Sequence, residues 1–324
     1  MDGMAHTAAI SGPISISSGG WMQRTLASAI SCTGVGLHSG RKVTLTLRPA
    51  PPEHGIVFRR VDLDGMNDIP ARHDHVSDTR LCTVLSAAGR PALRVGTVEH
   101  VMAALAGCDV HNVLIEVDGA EVPIFDGSAG CFVFLIDCAG IVEQDAPLAR
   151  IEVLRTVRVE QNGAFAELRP SSFGFDMALS IDFPARAIGH QSLTLHLSPE
   201  NFRSELAPAR TFTMVQEVKA LQSAGLALGG SLDNAIVVDD AEVLNPTGLR
   251  MQDEFVRHKL LDAVGDLALA GAALNARLVA NRTGHDLNNR LLRALFADDA
   301  NWRLVTPDMD RHPVWHTQAI VAAA

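Results

Sequence analysis

The sequence predicts an α+β protein built in two halves. Three observations carry this. Strand-forming runs come first in each half and helix-forming runs follow, rather than alternating as in a parallel-sheet fold. Each half holds two main helical stretches. Between them lies Glu143 to Ala149, a stretch with a proline and several charges that is the best linker candidate. With 324 residues, 47% of them hydrophobic and 20% charged, the chain is long and apolar enough for two domains with sizeable cores.

The ordered part is expected to begin near Trp21. Thr25 to Ser31 alternates apolar and polar residues as a half-buried strand does, and a Gly-punctuated turn follows from Thr33 to Gly40. Lys42 to Arg48 is a strand of period two, broken by Pro49 to Glu53. Ile56 to Val61 and Leu81 to Ser86 are further strands. A helix is expected from Thr97 as N-cap to Gly107, a strand from Asn112 to Val117, and a second helix from Ala129 to Ala139.

In the second half, Ile151 to Glu160, Ala164 to Arg169, Phe175 to Asp182 and Leu193 to Leu197 read as strands. Thr211 to Gly225 contains a helical segment, and Ile236 to Val238 is a short β-branched strand. A long helix opens at Phe255 and runs to Gly271. The strand Arg277 to Ala280, the turn Thr283 to Asp286, the helix Leu287 to Phe296 and a last strand from Trp302 to Thr306 complete the pattern.

Formal net charge is -10, which argues against non-specific nucleic-acid binding. The five cysteines (Cys32, Cys82, Cys108, Cys131 and Cys138) include no CxxC pair and read as reduced, mostly buried thiols. Met1 to Gly20 lacks the basic start and apolar core of a signal peptide and is expected to be a loose extension. No apolar run approaches the ~20 residues of a membrane-spanning helix. The expectation is a soluble, cytoplasmic monomer. The apolar tail ending in Ala324 reads first as a frayed terminus and second as a handle for proteolytic control.

Four fragments could carry chemistry. In the long helix, His258, Asp262 and Asp266 recur every four residues and share one face. A His and an Asp one turn apart can grip a divalent metal, and a further carboxylate can orient a neighbour. Glu99-His100 offers a third ligand beside a possible base, since adjacent helical residues point about 100° apart. His285, after Gly284 at a strand-to-helix turn, can project into a cleft. In Arg210-Thr211-Phe212, the Thr hydroxyl can donate to an oxyanion and the Phe can pack on a sugar ring. Taken singly, the stripe of the long helix and Glu99-His100 also read as solvated surface, His285 as solvated beside a helix-capping Asp286, and Thr211-Phe212 carries no signal from spacing alone. His6, His54, His73, His75, His312 and His316 read as surface residues.

Taken together they are specific. Thr33-Gly-Val-Gly-Leu-His-Ser-Gly40, Thr97-Val-Glu-His100, Asp126-Gly-Ser128, Arg210-Thr-Phe212, Gly229-Gly-Ser231, His258-Lys-Leu-Leu-Asp262 with Gly265-Asp266, and Gly284-His285 follow one another in the order and at the separations of one family. From roughly Arg24 to Phe296 the chain resembles the UDP-3-O-acyl-N-acetylglucosamine deacetylases, zinc amidases of lipid A biosynthesis in Gram-negative bacteria.

The resemblance implies two domains of similar topology, residues 21–145 and 146–308, each a sheet layered on two main helices with the active site between them. Residues 1–20 and 309–324 lie outside. It implies one catalytic zinc on His100, His258 and Asp262, with Glu99 as general base. His285 would be acid or electrostatic stabiliser, oriented by Asp266, and Thr211 would assist the oxyanion. Phe212 would pack on the glucosamine, Lys259 would lie near the substrate's anionic portion, and His38 near the site's mouth. Residues 214–238 would form an apolar passage for the acyl chain. Thr213-Met214, where relatives can carry Gly-Phe, and Arg282, where a Lys can occur, depart from the pattern. The ligand set would also accept Fe(II). Two alternatives remain open at this point: an amidase for another N-acyl substrate, and a binding module whose structural metal is closed by a fourth protein ligand.

Overall fold

The structure is a computed structural model that describes residues 21–307. The expectations for residues 1–20 and for the tail lie outside the described residues.

Among the described residues, six α-helices and several sheets form a mixed α+β architecture. The helices are α1 (Glu99–Gly107), α2 (Gly130–Ala139), a one-turn α3 (Pro199–Asn201), α4 (Val215–Ser223), α5 (Glu254–Ala268) and α6 (His285–Phe296). The first half has a five-stranded sheet in the order Ile30–Val35, Lys42–Pro49, Val113–Val117, Ile56–Arg60, Asp68–Pro70. Successive pairings are antiparallel, antiparallel, parallel and antiparallel. The second half repeats this series with Val157–Gln161, Ala164–Pro170, Ala273–Asn281, Phe175–Asp182 and His190–His196. Arg150–Val153 and Trp302–Val305 widen that second sheet. In each half the middle strand is preceded by one long helix, α1 or α5, and followed by another, α2 or α6.

Alternation explains which face each strand buries. Val43, Leu45 and Leu47 point into the core from one strand, and Phe175, Met177, Leu179 and Ile181 from its counterpart. Full burial of each such side chain stabilises by about 1.5–3 kcal/mol. The core is continuous across both halves, because α1 lies along α5 at its centre. Helix α5 is therefore buried nearly all round rather than amphipathic. Phe255, Val256, Leu260, Leu261, Val264 and Leu267 all pack inside, and the His258, Asp262, Asp266 stripe is buried too.

Several expectations are corrected. The strand expected over Thr25 to Ser31 is two strands, Met22–Leu26 and Ile30–Val35, split where the chain changes partner. The linker candidate is itself strand Ile141–Pro147, which pairs with Met22–Leu26. Its charges sit on an outward edge, so composition alone reads it as loop. Ile151 to Glu160 likewise divides into Arg150–Val153 and Val157–Gln161. The short strands Asp68–Pro70, Val76–Asp78 and Arg90–Val95 carry too little pattern to be seen in the sequence.

Thr97 is not the N-cap of α1. That position is Val98, and Thr97 holds a left-handed φ of 56° with its hydroxyl bonded to Glu121. His73 is not a surface residue: it is half-buried and stacks on Phe296 at 4.4 Å between ring centroids. All five cysteines are free. Cys82 and Cys108 are buried, Cys32 and Cys131 half-buried, and Cys138 exposed.

Candidate active site

Helices α1 and α5 cross at a glycine, and the crossing assembles the site. A methyl group on Gly265 would lie 1.9 Å from the Glu99 carbonyl oxygen. Only a bare Cα lets the first turn of α1 come this close. It brings His100 to the His258–Asp262 pair from a part of the chain nearly 160 residues away. His100 Nε2 lies 3.5 Å from Asp262 Oδ1, and His258 Nε2 lies 3.4 Å from the same oxygen. The two imidazoles meet edge to face with centroids 5.0 Å apart. All three side chains are buried, and their ligand atoms lie within 4.8 Å of one another. Among the described residues this is the group of His, Cys, Asp and Glu side chains that could hold a metal ion.

The donors fit a divalent metal. The His258 Nδ1–H faces the Ala209 carbonyl oxygen at 3.1 Å, which leaves the Nε2 lone pair free toward the cluster. Burial pushes the His258 imidazole down to about 4, against the pull of Asp262, so the ring is neutral as a ligand must be. Burial pushes the Asp262 carboxyl up, yet His258 and Lys259 outweigh it and hold the carboxylate well below the ordinary range. Its second oxygen accepts from Lys259 Nζ at 2.6 Å. The group has three protein ligands. A closed structural site would take four, whereas an open catalytic site keeps one position for water or substrate.

Glu99 and His285 face each other beside this trio. His285 Nε2 lies 3.9 Å from Glu99 Oε1. The other carboxylate oxygen of Glu99 accepts from the Thr83 N–H at 3.0 Å. Burial raises the Glu99 carboxyl above its ordinary value, with His285 and His100 opposing. His285 Nδ1 lies 2.8 Å from Asp266 Oδ2. Burial would lower His285, but the charge and hydrogen bond of Asp266 outweigh it and lift the imidazole to about 9. A carboxyl whose pKa is raised thus faces an imidazole whose pKa is raised.

Over residues 23–297 the chain matches the family described as UDP-3-O-acyl N-acetylglycosamine deacetylase, LpxC. The chain belongs to this family. The UDP-3-O-acyl-N-acetylglucosamine deacetylase of Idiomarina loihiensis is 50% identical over 290 residues, covering 89% of this chain and 94% of that protein. That of Thioalkalivibrio sulfidiphilus is 47% identical over 304 residues, covering 93% and 99%. LpxC proteins are zinc deacetylases, and the His100, His258, Asp262 donor set suits that ion.

The structure brings six of the ten residues expected in the LpxC site into one cluster: His100, His258, Asp262, Glu99, Asp266 and His285. Lys259 joins them through its ion pair with Asp262. Phe212 stands at the edge, its ring 6.3 Å from His258, 5.0 Å from Phe255 and 5.4 Å from Phe183. Thr211 is placed by its backbone, donating to the Gly127 carbonyl and accepting from the Ile236 N–H, each at 2.8 Å. His38 makes its hydrogen bonds outside this cluster, one of them to Glu121, which also accepts from Thr97 Oγ1. Its N–H donates to Glu121 Oε1 at 2.8 Å and its carbonyl accepts from Leu228, while both ring nitrogens are buried without a partner.

Sequence reasoning missed three supports of the LpxC site. Thr83 Oγ1 donates to Asp266 Oδ1 at 2.6 Å across 183 residues, and nothing in the sequence marks it. Asn288 Nδ2 donates to Asp266 Oδ2 at 2.8 Å. Its place one turn after His285 on α6 was the available signal. The Ala209 carbonyl, which sets the His258 tautomer, has no side-chain signature at all.

Proposed function

We propose that this chain hydrolyses the N-acetyl group of UDP-3-O-acyl-N-acetylglucosamine, releasing acetate and the free amine, as a step of lipid A biosynthesis. One observation carries the reading. Three side-chain atoms that could hold a metal ion, a carboxyl of raised pKa and an imidazole paired with a carboxylate converge in one buried site drawn from both halves of the chain.

Amide hydrolysis needs a stronger nucleophile than neutral water and a home for negative charge on the carbonyl oxygen. A zinc ion on His100, His258 and Asp262 supplies both when bound, by lowering the pKa of water and polarising the acetyl carbonyl. Glu99 takes a proton from the attacking water. Thr211 donates from its hydroxyl to the developing oxyanion, with the positive charge of His285 nearby. The acyl carbon–nitrogen bond then breaks, and the leaving nitrogen needs a proton. The pairing of His285 with Asp266 supports His285 as that donor. Glu99, returning the proton it took, is the other candidate. Asp266 holds His285 in orientation, with Thr83 and Asn288 holding Asp266 in turn.

The same reading assigns the surroundings. Phe212 packs on the glucosamine, Lys259 lies toward the substrate's anionic portion, and His38 stands near the site's mouth. The matching strand series of the two halves supports two domains of similar topology, 21–145 and 146–308. Phe212–Met214, α4 and Ile236–Asp239 form a strand-helix-strand unit, its strands parallel, that we assign as the acyl passage across residues 214–238. No helix among the described residues is long and apolar enough to cross a membrane. We place the enzyme in the cytoplasm as a monomer that takes a UDP-sugar and binds no nucleic acid, with proteolytic control through its C-terminal tail. The test is acetate and amine release from the UDP-linked, acylated substrate by the zinc-loaded protein. Turnover of simple N-acyl amines with none of this substrate would sink the assignment.

A further inference from the structure

Arg210 and Glu254 form an ion pair buried at the N-terminus of α5, and the mechanism above leaves it without a task. Arg210 is 4% exposed and Glu254 0%. Arg210 Nε and Nη2 donate to Glu254 Oε1 and Oε2 at 2.8 and 3.1 Å, and its backbone N–H donates to Oε1 at 3.0 Å. Arg210 Nη2 also reaches the Gly248 carbonyl at 2.8 Å, and the Arg250 N–H donates to Glu254 Oε2 at 2.7 Å. Taking both charges out of water costs several kcal/mol per ion, and apolar side chains of equal volume often serve stability as well or better. Stability is therefore a weak account of the pair.

Its position offers a better one. Glu254 lies one turn before His258 on the same helix, and Arg210 directly follows Ala209, whose carbonyl accepts from His258 Nδ1. Helix, ion pair, peptide 209–210 and imidazole thus close a short ring. The Arg250 guanidinium extends it, donating to the Pro208 carbonyl at 2.9 Å and to Asp126 Oδ2 at 2.8 Å. The carbonyl that sets the His258 tautomer is clamped from the residues on both sides.

We propose that the Arg210–Glu254 pair is a positioning device for the metal ligand His258, holding the Ala209 carbonyl where it keeps the ring's Nε2 unprotonated and aimed at His100 and Asp262. The inference rests on the zinc reading above and deepens it. Two variants test it: Glu254→Gln, which puts an amide among the donors of Arg210, and the double change Arg210→Met with Glu254→Leu, which replaces the charges by apolar bulk. Zinc affinity is measured by competition with a chromogenic chelator, folding by circular dichroism and thermal midpoint. The 15N resonances of the His258 ring in metal-free protein report the tautomer. The expected result is a zinc Kd raised about 10-fold to 100-fold in both variants, the range for residues that orient a ligand. The thermal midpoint of the metal-free double variant should stay near or above that of the parent, and the Nδ1–H signature should weaken. Parental zinc affinity in a folded Glu254→Gln or double variant overturns the inference. So does a fall in metal-free thermal midpoint with affinity unchanged. If the parent protein itself binds no zinc, the zinc reading fails instead, and the two failures are told apart.

Discussion

Glu99 has its carboxylate out of water, one oxygen held by the Thr83 N–H and the other facing His285. A positioned base contributes about 100-fold to 10,000-fold to proton transfer. Glu99→Ala should lose that much kcat while zinc stays bound at one per chain, because Glu99 is not among the three proposed ligands. Metal analysis beside steady-state kinetics checks this, and loss of zinc in the variant would make Glu99 structural. His285 makes a pH prediction. Its folded pKa is raised to about 9 by Asp266 against the effect of burial, so the ring is charged below that value and neutral above it. An acid or electrostatic role is present at lower pH and lost as pH rises. A bound dication pulls the value down. The alkaline limb of kcat should therefore fall at or below about 9, and Asp266→Asn should shift it to lower pH. An unmoved limb in that variant would assign it to another group.

At the scale of the element, the decisive feature is the crossing of α1 and α5. Gly265→Ala places a methyl group 1.9 Å from the Glu99 carbonyl oxygen, so one helix must move. Overpacking of this kind costs about 1–3 kcal/mol. Chemical denaturation should report that loss. Zinc affinity should fall with it, since the shift parts His100 from His258 and Asp262. Unchanged affinity would mean the crossing tolerates displacement. Much of this level was readable beforehand. The four-residue spacing of His258, Asp262 and Asp266 follows from the helix, and α5 runs Glu254–Ala268 against an expected Phe255 to Gly271. Taken alone, a polar stripe is also readable as a solvated face; here it is buried, because the apolar residues around the rest of α5 are covered on every side. The Glu143 to Ala149 stretch was misread: an edge strand needs no apolar pattern when its partner, Met22–Leu26, supplies the pairing.

For the molecule as a whole, the site lies where two similar strand-and-helix arrangements share one continuous core. Metal bound there links folding of both halves. Zinc at about a hundredfold above its Kd adds about 2.7 kcal/mol to stability. Metal-stripped protein should unfold at a lower temperature, and its midpoint should climb with added zinc. A midpoint indifferent to zinc would show that the trio does not bind it in the folded state.

The sequence alone was enough for the α+β class, the central helix, the motif order that carries the family resemblance and the residue types of the site. Those are local properties: periodicity, spacing and side-chain chemistry belong to the chain before it folds. The contacts of Thr83 with Asp266 and of Ala209 with His258, and the burial that raises Glu99, belong to the folded molecule. They depend on which surfaces come together between segments far apart in the chain. Periodicity can say which face of α5 is polar. The packing of α1 against Gly265 determines what that face meets.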